Sequence, residues 1–215
     1  LDLFVVSGGI EFGPESENYQ DRLYLNSAGV FTKSNGLPAM PVSGGAAAAA
    51  DFDGDGDLDL FVGGRVVAGR YPFPPQSFLL KNNVGKFEDA TPESLRNIGM
   101  VTHAVWADID GDKDADLLLV GEWMKIELFK NNNGSLEPAT DNWGLGKTAG
   151  WWNRITGHDL DGDGDLDFVV GNLGLNYEFH ACDAHPFRIY AADFDKNGSV
   201  EIVLAEAIDG EYIPV

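Results

Sequence analysis

The chain has 215 residues, a formal net charge of −21 at neutral pH and one cysteine. Such acidity argues against nucleic acid or an anionic membrane surface as partner, and a single cysteine rules out an intrachain disulfide. No apolar run nears the ~18 residues needed to span a bilayer, so membrane insertion of this chain is not expected.

Taken in chain order, residues 1–8 match 58–63, so Asp2 reads as the last position of an acidic loop and residues 1–45 as part of a repeat unit. Residues 46–99 form the clearest unit. A small-residue strand (46–50) leads into an acidic loop, then strands at 58–63 and 77–81, the turn Asn82-Asn83-Val84-Gly85 and a short strand near 86–89. Four short strands with tight connections make one antiparallel blade. The alanines suit an innermost strand, where blades converge and large side chains do not fit. Residues 100–150 repeat the plan with strands at 101–107, 115–120, 126–130 and 135–138. Residues 151–186 are expected to form a shortened blade with an irregular connection after Gly171, and 187–215 a part-blade. Cys182, in that connection, reads as a small buried residue.

Within these units an acidic loop recurs four times, starting at residues 51, 108, 159 and 193, a spacing typical of propeller blades or solenoid units. The loops hold Asp51, Asp53, Asp55, Asp57 and Asp59; Asp108, Asp110, Asp112, Asp114 and Asp116; Asp159, Asp161, Asp163, Asp165 and Asp167; and Asp193, Asp195, Asn197, Ser199 and Glu201. About half of the 35 acidic residues lie there. Carboxylates so crowded repel unless a cation sits among them, and an all-oxygen set of this number suits Ca²⁺ at up to four sites. Side chains at positions 1, 3 and 5 turn inward, position 7 offers its carbonyl, and position 9 closes the shell. An EF-hand is excluded, since position 12 falls on Val62, Leu119, Val170 and Leu204 instead of a bidentate glutamate. Lys113 occupies position 6 where the other loops have glycine, so the second site is expected to be the weakest.

The pattern Asp-x-Asp-x-Asp-Gly-x-x-Asp followed by an apolar strand and glycine resembles the FG-GAP, or VCBS, repeats of integrin α-subunit propellers and bacterial secreted proteins. Gly121-Glu122-Trp123-Met124, Gly150-Trp151-Trp152-Asn153-Arg154 and Gly171–Asn176 resemble bacterial VCBS chains related to cartilage acidic protein and UnbV-type proteins. The resemblance implies an all-β fold, a calcium-stabilised β-propeller that is usually seven-bladed, of which this chain is expected to be a piece. It also implies an extracellular or cell-envelope location, with any targeting segment removed or outside the chain.

Signals for catalysis are weak. His103, His158, His180 and His185 lack metalloprotease spacing, and Ser7 and Ser43 lack the strand-turn-helix setting of a nucleophile elbow. Trp151, Trp152, Asn153 and Arg154 form a cluster suited to stacking on a sugar ring while satisfying its hydroxyls. Strand alternation through the same residues would equally bury one tryptophan between blades, while Trp106, Trp123 and Trp143 read as inter-blade packing. The expectation is a non-enzymatic binding or adhesion module for a glycan or an extracellular protein. The alternative is a polysaccharide-active lyase or dehydratase, or an accessory propeller of one.

Overall fold

Antiparallel sheets succeed one another along the chain in the computed structural model, which describes residues 1–215 except Glu15, Leu175, His180 and Asp209. His180 and the Leu175 position of the irregular connection therefore lie outside the described residues. The first sheet holds β1 (Leu3–Val5), β2 (Arg22–Ser27) and β3 (Val30–Lys33), and the second β4 (Ser43–Ala50), β5 (Asp59–Val66), β6 (Phe78–Asn83) and β7 (Lys86–Asp89). A single helical turn, α1 (Glu93–Arg96), leads to the third sheet, made of β8 (Met100–Ala107), β9 (Asp116–Met124), β10 (Glu127–Asn132) and β11 (Ser135–Pro138). Next come the paired strands β12 (Gly150–His158) and β13 (Asp167–Asn172), and a last sheet of β14 (Arg188–Ala192), β15 (Glu201–Ile208) and β16 (Glu211–Pro214). The fold is all-β, with its strands in propeller-type blades.

The outer hairpins are set by their turns. β2–β3, β6–β7 and β10–β11 are joined by two residues, both at positive φ: Ala28 and Gly29, Val84 and Gly85, Asn133 and Gly134. Two left-handed residues define the turn whose twist matches that of paired strands, which is why glycine holds the second place each time. An asparagine upstream closes each turn by accepting the glycine N–H: Asn26 at 2.8 Å, Asn82 at 2.8 Å and Asn131 at 2.9 Å.

Alternation along the second strand of each blade builds the core, since successive side chains face opposite sides. Leu60 and Val62 of β5 pack with Leu23 and Met40 of the preceding unit, whereas Phe61 joins Val101, Leu117, Leu119 and Phe129 of the following one. In β9, Leu118 and Val120 face Ile155, Phe168 and Val170 of β12 and β13. The second strands β5 and β9 thus read as continuous apolar runs because both faces are covered by neighbouring blades. Ala46 and Ala48 of β4 enter the same inter-blade core, while Ala47 and Ala49 are exposed on the other face. Close approach is needed here: a Cβ on Gly63 would lie 2.7 Å from Val101.

Two expectations are modified. The start of β12 also pairs with the end of β9, Gly150 opposite Met124 and Trp151 opposite Glu122 across a bulge, so the units at 100–150 and 151–186 are hydrogen-bonded at this corner. Cys182 is exposed, not buried. It sits in the stretch between β13 and β14, where the described residues form a short bridge between Cys182 and His185 and no outer hairpin.

Candidate metal loops and an aromatic corner

Every loop begins where a first strand ends and closes where the second begins, so its geometry is fixed by the β4–β5, β8–β9, β12–β13 and β14–β15 pairings. The position-1 carboxylate braces the turn. Asp51 accepts the N–H groups of Asp55 at 3.1 Å and Gly56 at 3.0 Å, and Asp193 those of Asn197 and Gly198, positions 5 and 6 of their loops; Asp108 accepts from Gly111 and Lys113 and Asp159 from Gly162 and Gly164, positions 4 and 6. Positions 4 and 6 both adopt positive φ. Gly54 and Gly56 do so in the first loop, Lys113 at φ 77 in the second and Lys196 at φ 62 in the fourth. The demand at position 6 was readable from the glycines; that at position 4 was hidden, because Lys196 stands where the other loops have glycine.

Carboxylates from positions 1, 3 and 9 converge in each loop: Asp51, Asp53 and Asp59; Asp108, Asp110 and Asp116; Asp159, Asp161 and Asp167; Asp193, Asp195 and Glu201. In every set the facing oxygens lie within 4.8 Å of one another. Two oxygens bound to one calcium at 2.3–2.6 Å can be no further apart than about 5 Å, so the spacing fits a shared ion. The hard, all-oxygen donor set fits calcium too, and a carboxylate has lone pairs enough to accept a backbone N–H and bind a cation. Position 5 stays outside these triads: Asp55, Asp112, Asp163 and Asn197 each turn back onto the N–H two residues on. At position 7 the side chains of Asp57 and Asp114 point to the outer hairpin, accepting from the N–H of Val84 at 2.9 Å and of Asn133 at 2.7 Å. Asp165 instead hydrogen-bonds Asp163, and the proximity of these two acids raises its pKa. Ser199 donates its N–H to Asn197 at 2.7 Å.

Position 9 has a second role that the sequence did not reveal. Asp59 and Asp116 are 0% and 2% exposed. Each bridges the loop to the third strand: Asp59 accepts from Phe52 at 3.1 Å and Asn82 at 2.7 Å, Asp116 from Ile109 at 3.0 Å and Asn131 at 2.8 Å. Burial raises both pKa values, and the backbone N–H bonds oppose the rise. Asp2 accepts the Asn26 N–H at 2.8 Å, the same bond in the first sheet. Among the described residues, Asp167 and Glu201 keep only the loop-side bond, to Leu160 and Phe194.

Two lysines reach these loops from outside the acidic motif. Lys81 on β6 pairs with Asp53 and lies 3.4 Å from Asp55; Lys130 on β10 pairs with Asp110 and lies 3.3 Å from Asp112. Hydrogen bonds to Asp53 and Asp110 raise the pKa of the two ammonium groups. Each lysine directly precedes the asparagine that closes the outer turn, so Lys-Asn-Asn at 81–83 and 130–132 was the available signal.

At the opposite end of β12 from Asp159, the tryptophan pair divides. Trp152 packs beside the Leu118–Ile155 core and donates its indole N–H to the Thr148 carbonyl at 2.9 Å. Trp151 lies against Trp123 with ring centroids 5.2 Å apart, and Trp123 stacks further on Phe187. Both tryptophans are half-buried, and Asn153 and Arg154 are exposed. Trp123 adopts φ 57, unusual for so bulky a residue. Its indole N–H donates to the Tyr71 hydroxyl at 2.6 Å, and that hydroxyl donates to Glu122, which pairs with Arg65. Of the other two, Trp106 stacks on Phe52 and donates to the Ala48 carbonyl, while Trp143 is 46% exposed at the rim of a groove lined by Leu118, Leu145 and Phe168.

A family model described as FG-GAP-like repeat matches residues 1–62 and 108–170, more than half of the chain. The matched stretches contain the loops at Asp51, Asp108 and Asp159; the loop at Asp193 lies outside them. No curated protein matches the chain. No helix among the described residues is long and apolar enough to cross a membrane.

Proposed function

The chain belongs to the FG-GAP-like repeat family, and from that premise we propose a calcium-stabilised, non-enzymatic binding module, extracellular or on a cell envelope, whose ligand is a glycan or an extracellular protein. The observation that carries the calcium reading is the fourfold recurrence of a carboxylate triad on one strand-loop-strand frame, with every set compact enough for one ion. Bound calcium would screen the mutual repulsion of the triad and join the two innermost strands of a blade at their acidic end. Asp51, Asp53 and Asp59 and their counterparts in the other loops would hold it.

The ligand reading rests on the other end of the same strands. Trp151 and Trp123 offer indole surface beside exposed Asn153 and Arg154, which combines an apolar platform with hydroxyl-bonding groups. With the Asp159 loop at its far end, the nine-residue strand β12 separates platform from ion by roughly 25 Å, so calcium would act on binding through blade rigidity, not contact. Titration calorimetry of the calcium-free chain, with melting curves in 1 mM calcium and in chelator, tests the first part. At a Kd of ~10⁻⁴ to 10⁻³ M each site should add roughly 0.4–1.4 kcal/mol; absence of binding heat and an unchanged Tm would refute it. A glycan array probed with the wild-type chain and Trp151→Ala tests the second, the expected result being signal that the variant loses.

A further inference from the structure

Among the four loops, those at Asp51 and Asp108 are each paired with a lysine from outside the acidic motif. The lysine arrives from the third strand of the blade, and its ammonium contacts the carboxylates at positions 3 and 5. Position 3 is a member of the converging triad. At the Asp159 loop the equivalent contact has no source, because β13 is followed by the irregular connection and then by β14, the first strand of the next sheet. No ion pair reaches Asp159, Asp161 or Asp163 among the described residues.

We propose that Lys81 and Lys130 are built-in counter-cations that hold the first two loops closed without metal and weaken their affinity for calcium, leaving the loops at Asp159 and Asp193, which no lysine pairs with among the described residues, as those that need the ion. An ammonium on the position-3 carboxylate neutralises part of the charge that attracts a cation, and it must be displaced before that carboxylate can enter a calcium shell. A divalent ion approaching a site that already contains one positive charge within hydrogen-bond reach loses much of its electrostatic advantage. At the Asp159 loop nothing has to leave. The arrangement also changes the order suggested by the glycines alone, since the Asp51 loop, with its complete aspartate set, becomes a modest site.

This inference rests on the calcium reading, and its test separates the two. Calcium is titrated calorimetrically into the calcium-free chain, into Lys81→Met and Lys130→Met, and into Lys125→Met as a control, since Lys125 pairs with Asp141 away from the loops. Lys81→Gln and Lys130→Gln provide uncharged polar replacements should the methionine variants fail to fold. Expected are one site tightened at least tenfold in each loop variant, no change in the control, and a Tm of the loop variants lowered in chelator but restored by calcium. Calcium binding to the wild-type chain that Lys81→Met and Lys130→Met leave unchanged or weaken overturns the lysine proposal alone. No calcium binding by any form overturns both it and the reading beneath it.

Discussion

The Asp59 and Asp167 ends of their loops carry the same residue at the same position, yet they sit in different structures. Asp59, like Asp116, is sealed under a third strand and holds two backbone N–H groups, one from its loop and one from that strand. Asp167 is half-buried and, among the described residues, holds the loop-side N–H alone. The difference is the outer hairpin, which supplies the second N–H, the lysine and the lid together. A nine-residue loop of this kind is therefore not self-sufficient, and its neighbouring strand decides how much of its order depends on an ion.

The largest effect should come from removing that buried carboxylate. Asp59→Ala leaves the N–H groups of Phe52 and Asn82 without partners inside the blade and should destabilise by about 3–5 kcal/mol, whereas Asp167→Ala in chelator should cost about 1 kcal/mol. Urea unfolding of the two variants measures the gap, and equal losses would erase the distinction between the loops.

A separate buried acid predicts a pH effect in the first sheet. Asp21 is pushed up to about 6 by burial, against the opposing pull of the Ser7 N–H bond and of Arg22. A folded-state pKa above the unfolded value near 3.8 means the folded chain holds the proton more tightly. Its contribution is then fully present below pH ~4 and is lost as pH rises through 6, by up to about 3 kcal/mol. Asp21→Asn should flatten stability between pH 4 and 7, because the amide oxygen can still accept from Ser7; an unaltered pH profile would contradict the assignment. The loop carboxylates should show no comparable change when calcium is saturating.

Trp152→Ala should cost about 2–3 kcal/mol, because it opens the core beside Ile155 and frees the Thr148 carbonyl. Trp151→Ala should cost less and affect ligand binding more. Paired melting curves and glycan arrays separate the two, and equal destabilisation without loss of a ligand would make the pair packing only. The smallest effect belongs to Val84, 89% exposed at φ 53 in the outer turn that Asp57 braces. Val84→Asn should stabilise by about 1 kcal/mol by relieving a β-branched side chain at positive φ, as read from the Tm. Replacing Lys113 by glycine at φ 77 should tighten the second loop by the same logic, as measured by calcium titration.

Much of this was legible in the chain. Alternating carboxylates marked the loops, short strands with tight connections marked the blades at 46–99 and 100–150, and Asp2 was identifiable because Leu-Asp-Leu-Phe-Val recurs at 58–62. Long-range placement was not legible. Lys81 stands 28 residues beyond Asp53 and reaches it only through strand pairing, so no local spacing announces the contact. The same holds for the buried role of Asp59 and for Trp151, whose neighbour Trp123 comes from the preceding unit. Cys182 was misread because residue type argues for burial, while among the described residues no outer hairpin lies between β13 and β14 to cover it.

Hydrogen-exchange mass spectrometry on the intact chain, in chelator and in saturating calcium, tests the central claim most directly by resolving each loop in one experiment. The account predicts strong calcium-dependent protection of residues 159–167 and 193–201 and small changes at 51–59 and 108–116, where lysine and the third strand already hold the backbone. Protection that is equal in all four loops, or absent from 159–167, would contradict it.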